Sequence, residues 1–189
     1  GARGCHLLSG QLPFPIAVLK RSALEHNVAW LQDFVRERGL ELAPHGKTTM
    51  SPQLFQRQLA AGAWGITFAN VFQLRLGVVA GVRRAIIANQ VQTEADLAGL
   101  ARLLHETPGL RVLFLVDSLE QLAQIEAWRA TRATAPVFEV LLEVGVAGGR
   151  TGVRLHDDAL ALAQRLRGST AVRLVGIECY EGLGVTGDT

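Results

Sequence analysis

The sequence predicts an α/β fold with a parallel sheet, taken here as a (β/α)8 TIM-type barrel that is incomplete, with about six strands. Three observations carry this. Short apolar runs recur between stretches of helical spacing, and strand and helix alternate along the whole chain. The runs also lack the polar alternation of a strand with one wet face, so they read as strands buried on both sides. The chain has 189 residues, 49% apolar and 19% charged, which suits one ordinary core.

The elements follow in order. Residues 15–20 (PIAVLK) read as an extended lead-in, and Leu24, Val28, Leu31 and Val35 set a helix over 22–38. The strand runs are LELA (40–43), GITFA (65–69), AIIA (85–88), RVLFLV (111–116), VFEVLLEV (137–144) and VRLVGIE (172–178). Helical patterns fill the intervals at 52–61, 71–80, 93–105, 119–129 and 157–166. Ser118 with Gln121 three residues on is a capping box, and Thr93 and Asp157 are candidate caps. Periodicity alone does not choose between an open doubly wound sheet and a barrel. The choice falls on the barrel because no glycine fingerprint follows the first strand. The glycine-rich GVAGGRTG (145–152) lacks the Gly-Lys-Ser/Thr of a phosphate loop. Six units fall two short of a closed barrel, so either the sheet is open or residues 1–189 are part of a longer protein.

Composition excludes several roles. The formal net charge is +2, with the basic residues scattered, so a nucleic-acid partner is not expected. No apolar run reaches the ~18 residues of a membrane helix, and no signal core opens the sequence, so a cytoplasmic protein with no membrane partner is expected. Cys5 and Cys179 are too few for a disulfide framework.

Chemistry in parallel α/β folds gathers at the carboxyl ends of strands. Read in order, those ends carry His45 and Lys47; Thr67 and Asn70; Asn89 and Gln90; Asp117; Glu143 and Arg150; Glu178, Tyr180 and Glu181. Strand ends run into solvent in any such sheet, so Asn70, Asp117 and Glu178 have an equally good bland reading, and Asp117 could help cap the helix after it. Lys47 differs. Of 19 basic residues only Lys20 and Lys47 are lysine, and a lysine in a desolvated site can lose its proton and condense with an aldehyde, which a guanidinium cannot. Residues two apart on a strand share a face, which would set His45 beside Lys47. Lys47 is therefore a candidate Schiff-base lysine for pyridoxal 5'-phosphate. Arg150 would stand near the phenolate oxygen of such a cofactor, and Tyr180 would hydrogen-bond to it or flank it. Lys20 reads as a solvated surface residue.

The segments APHGKTTMSP, QLAAGAWGITFANVFQ, VRRAIIANQV, LLEVGVAGGRTGVR and RLVGIECYEG together resemble the D-serine dehydratase and D-threonine aldolase family, and within it the bacterial amino acid deaminases. The resemblance runs from about Pro15 to Gly182 and implies an alanine racemase-type fold: a pyridoxal phosphate-carrying barrel followed by a β-rich C-terminal domain. Carried over, it makes Lys47 the Schiff-base lysine and α-proton base, with His45 beside it. It puts Gln90 and Arg150 near the cofactor ring, Tyr180 on the pocket wall and Thr67 in a weaker cofactor-binding role. It also implies that residues 1–189 are the N-terminal part of the barrel, that the whole protein is a homodimer, and that any divalent, zinc-like metal is held by the C-terminal domain. No metal ligand is expected within 1–189.

The implied activity is pyridoxal phosphate-dependent deamination or dehydration of a D-serine- or D-threonine-like amino acid to a 2-oxo acid and ammonia. The competing readings are a D-threonine aldolase, a non-catalytic pyridoxal phosphate carrier on the same barrel, and a cofactor-free binding domain.

Overall fold

The computed structural model describes residues 4–132 and 134–180. The chain forms two compact units that divide after Leu40. The first unit contains one helix, α1 (Arg21–Glu37), preceded by a lead-in without regular structure where the extended stretch was expected. The sequence dictates where α1 stops. Gly39 takes φ 63°, and its N–H donates to the Arg36 carbonyl while Leu40 N–H donates to that of Val35, the paired bonds of a Schellman end. Trp30 and Phe34 stack one turn apart at 5.5 Å, and the Arg38 guanidinium lies 3.7 Å over the Phe34 ring.

Among the described residues the second unit contains five parallel strands: β1 (Ile66–Phe68), β2 (Arg84–Gln90), β3 (Arg111–Val116), β4 (Phe138–Val144) and β5 (Val172–Cys179). Helices α2 (Pro52–Ala60), α3 (Val71–Val79), α4 (Glu94–Glu106), α5 (Leu119–Ala130) and α6 (His156–Gly168) alternate with them. The strands lie side by side in chain order, β1 to β5. A doubly wound sheet reverses its order at a switch point; this one does not.

Burial points the same way. Ile66 and Phe68, Ala85 and Ile87, Val112, Phe114 and Val116, and Phe138, Val140 and Leu142 join helix residues such as Leu74, Leu97, Leu100, Ile125 and Leu162 in one core. The alternate residues Leu113 and Leu115 are buried yet stand apart from that core. The helices therefore cover one face, and the other is the inner face of a barrel arc, as the sequence predicts.

Helix starts follow the side-chain chemistry. Thr93 accepts from Asp96 N–H and Ser118 from Gln121 N–H, as expected of caps. The Gln121 side chain reaches back one residue further than a capping box requires, accepting from Asp117 N–H and donating to Leu115 O. Asp157 is not a cap, because α6 already begins at His156; with Asp158 it lies in the first turn, where a carboxylate favours the helix dipole.

The expected first strand, LELA, is shorter and later. Trp64 N–H donates to Leu42 O, Thr67 N–H to Pro44 O and Gly46 N–H to Thr67 O, giving only an isolated parallel bridge between His45 and Thr67. The rung before it would need an N–H from residue 44, and proline has none.

Two irregularities break the ladders. Three positions on β2, Ile87 to Gln90, advance opposite one step on β3. On β5, Val175 is an extra residue: Val140 pairs with Leu174, but Leu141 pairs with Gly176.

Candidate active site

The bridge at His45 delivers the chain to the carboxyl end of β1 and turns it at once. Met50 N–H donates to Gly46 O, closing a turn over Lys47, Thr48 and Thr49, and Met50 takes the left-handed φ of 41° before α2 begins. Gly46 is required at this point, because a Cβ on it would meet Ile66 Cγ2 and a Phe55 ring carbon at 2.7 Å. Lys47 thus stands in a turn rather than on a strand, so strand alternation does not explain why it and His45 are neighbours. The short turn does. Burial first, and the Lys47 charge second, hold the His45 pKa below its ordinary 6.5, leaving a neutral imidazole at physiological pH. The Lys47 side chain is exposed and makes no hydrogen bond or ion pair among the described residues.

Across the arc, Glu143 is the buried polar centre. It is 3% exposed; Gln90 Nε2 donates to its Oε2 at 2.5 Å and Thr151 Oγ1 donates to its Oε1. Thr151 belongs to the 145–152 loop, whose base is closed by a parallel bridge between Val144 and Val153. Gly152 N–H donates to Asp117 Oδ2 at 3.0 Å, which gives Asp117 a role other than capping α5. Arg154 donates to the carbonyls of Val146 and Gly149. Gly152 has φ 92°, and a Cβ there would meet Gly145 N at 2.5 Å, so the loop closes only with glycine. Arg150 is exposed and has no partner among the described residues.

Glu178 lies opposite Glu143 in the β4–β5 register. Its Oε2 is buried without a hydrogen-bond partner among the described residues. Burial first, then the Glu143 charge, raises its pKa above 4.5. Tyr180 follows two residues later and is exposed. The structure places His45, Lys47, Gln90, Arg150 and Tyr180 at the carboxyl ends of the strands or in the turns just beyond. Thr67 is also on the inner face, but its hydroxyl donates to Ala43 O at 2.7 Å and so ties down the segment before His45. Asn70 caps α3 through Gln73 N–H. Glu181 lies outside the described residues. In the sequence Glu143 stands out only as a strand-end polar residue, and Thr151 does not stand out at all. The available signal was a lone carboxylate inside the apolar run VLLEVGV.

The opposite strand ends are also polar. An open cavity of about 620 Å³ there is lined by Arg111, Glu139 and Arg173 among apolar neighbours. Glu139 is already committed to both arginines, since Arg111 Nε and Arg173 Nη2 both donate to it, and no lysine or cysteine lines the cavity. The Lys47 end is therefore the candidate site. Among the described residues, no group of three or more His, Cys, Asp or Glu is placed to hold a metal ion. No described helix is long and apolar enough to cross a membrane.

The family model for the alanine racemase N-terminal domain matches residues 19–183. A D-threonine aldolase of Arthrobacter sp. is 34% identical over 170 residues, which is 89% of this chain and 43% of the relative. The D-threo-3-hydroxyaspartate dehydratase of Delftia sp. (strain HT23) is 30% identical over 179 residues, covering 94% and 46%. Among solved structures, D-threonine aldolase from Filomicrobium marinum superposes with a TM-score of 0.79 at 27% identity, covering 88% of this chain and 43% of that one. Alanine racemase from Bacillus anthracis gives a TM-score of 0.68 at 16% identity, a likeness of fold alone. The chain spans less than half the length of the curated relatives it matches.

Proposed function

The chain belongs to the alanine racemase N-terminal domain family, and from that premise we propose that it is the cofactor-bearing part of a pyridoxal 5'-phosphate-dependent lyase acting on D-amino acids. The observation that carries the proposal is Lys47, a solvent-reachable amine with no partner among the described residues, presented at the carboxyl ends of the strands. The two relatives above, an aldolase and a dehydratase of D-configured hydroxy amino acids by name, support it.

The described residues fit such a cofactor. Lys47 offers the amine that an aldehyde requires, Arg150 offers an uncommitted guanidinium for an anionic oxygen, and Glu178 Oε2 is a buried acceptor with nothing yet bound to it. When bound, the cofactor supplies an electron sink for charge developing at the substrate α-carbon. Lys47 Nζ would hold it through the aldehyde carbon, and the same amine would be the base for the substrate α-proton. Neutral His45 lines the site without adding a second positive charge beside that amine. Gln90, Arg150 and Tyr180 orient the ring.

The finer reading is deamination: a D-serine- or D-threonine-like substrate loses its α-proton and β-hydroxyl, and hydrolysis yields a 2-oxo acid and ammonia. A second reading, D-threonine aldolase, is favoured by the 34% identity to an aldolase. There the β-hydroxyl proton is taken and the Cα–Cβ bond breaks to glycine and an aldehyde. The proposed assembly of the whole protein is a homodimer.

The test uses the protein made from its complete gene with pyridoxal phosphate added. A visible absorbance band that borohydride abolishes and Lys47→Ala lacks is the expected result. A 2-oxo acid and ammonia from D-serine then indicate the deaminase, and glycine from D-threonine the aldolase. A protein with no such band overturns the proposal.

A further inference from the structure

Glu143, on β4, joins the end of β2 to the loop that follows β4. Its side chain takes Gln90 from the end of β2 and Thr151 from the loop beyond β4, and its backbone carbonyl accepts from Val153 N–H at 2.8 Å. A carboxylate this buried persists only where its oxygens are satisfied, and here each oxygen has its own donor.

The consequence falls on Arg150. Its neighbours on both sides are fixed: Gly149 O accepts from Arg154, and the Thr151 hydroxyl is fastened to Glu143. The next residue, Gly152, is tied to Asp117. The backbone carrying Arg150 is therefore held while its guanidinium is uncommitted.

We propose that Glu143 is a positioning residue: it joins Gln90 and, through Thr151, Arg150 into one pre-arranged pair, so that a group at the end of β2 and one in the loop beyond β4 meet the cofactor at a fixed separation. The inference rests on the pyridoxal phosphate reading above. Both donors need an acceptor, and only a carboxylate accepts at both of its oxygens. Glutamine keeps an acceptor for Gln90, but its N–H₂ can only donate, so the Thr151 hydroxyl must turn to accept and the charge assistance of both bonds is lost.

The test titrates pyridoxal phosphate against the full-length wild type, Glu143→Gln, Thr151→Val, Arg150→Ala and the Arg150→Ala/Thr151→Val pair, following the visible band, with a thermal melt of each. Glu143→Gln and Thr151→Val are each expected to weaken cofactor affinity about tenfold, the effect of one charge-assisted hydrogen bond. In the Arg150→Ala background, Thr151→Val should weaken affinity less than about twofold, while its effect on the melt persists. Thr151→Val is close to isosteric and keeps the test open should Glu143→Gln fail to fold. Wild-type affinity in both Glu143→Gln and Thr151→Val overturns the inference, as does an undiminished loss in the Arg150→Ala background. A wild type that never forms the band removes the underlying reading, and this inference with it.

Discussion

Glu139→Gln removes the carboxylate that two arginines share at the amino-terminal end of the sheet. Glu139 leans from β4 with 12% of its side chain exposed, accepting from Arg111 Nε at 2.7 Å and Arg173 Nη2 at 2.5 Å. Breaking a fully buried ionic contact typically costs about 3–5 kcal/mol, because a charge is left stranded. Here the stranded groups are guanidinia on side chains 47% and 69% exposed, so water re-solvates them. Each contact then belongs with exposed pairs, worth about 0–1 kcal/mol. The two together predict a loss of about 1–2 kcal/mol at pH 7, or about 2–8 °C in Tm for a chain of this size. The sign of the pH dependence follows from the carboxyl itself. Burial pushes its pKa up, but the hydrogen bonds and charges of Arg111 and Arg173 outweigh burial and hold it below 4.5. A depressed folded pKa contributes stability above the unfolded value and loses it as pH falls through the folded value. Urea unfolding followed by circular dichroism at pH 7, 5 and 4 should therefore show the gap between wild type and variant closing toward acid. A gap that stays constant with pH, or a variant as stable as wild type at pH 7, refutes this reasoning.

Glu178→Gln should behave in the opposite sense. Its raised pKa means that wild-type stability falls as pH rises through it, so the variant should melt higher than wild type at pH 8 and the advantage should vanish near pH 4; a variant that melts lower at pH 8 refutes the assignment. Gly152→Ala combines about 1–2 kcal/mol of left-handed strain with a backbone overlap, whereas Gly148→Ala, at φ 73° with open space around it, carries the strain alone. Gly152→Ala should therefore have the lower urea midpoint of the two. Phe114→Ala empties a fully buried site in contact with Phe138 and should cost about 3–5 kcal/mol by urea unfolding; a loss below about 2 kcal/mol would mean that the core collapses around it.

The arc was legible in the sequence because its determinants are local. Apolar runs such as RVLFLV name a strand wherever they fall, and Thr93 and Ser118 cap the helices that follow them regardless of the rest of the fold. Lys47 stood out for a compositional reason, the near absence of other lysines. What escaped the sequence depends on partners distant along the chain. The first strand shrank to a bridge because Pro44 meets β1 at a rung that needed a donor. Asp117 looks like a helix cap until Gly152, 35 residues later, arrives to use it. Glu143 becomes central only when Gln90 and Thr151, 53 residues before it and 8 after, reach it together.

The extra residue in β5 also bears on how such proteins can change. Side chains alternate along a strand, so one inserted position exchanges the two faces of everything after it. In a regular strand counted from Arg173 through Val175, Ile177 and Cys179 would turn inward; with Val175 in excess, Glu178 does. A single-codon deletion of Val175 would thus make the ladder regular and leave Glu178 opposite Glu143, whereas forcing Val175 into the ladder would bring Ile177 there instead. One-residue changes in length should therefore be tolerated at the irregularity and selected against beyond it. The β2 irregularity, two residues in excess, keeps the alternation of that strand and leaves Gln90 facing Glu143.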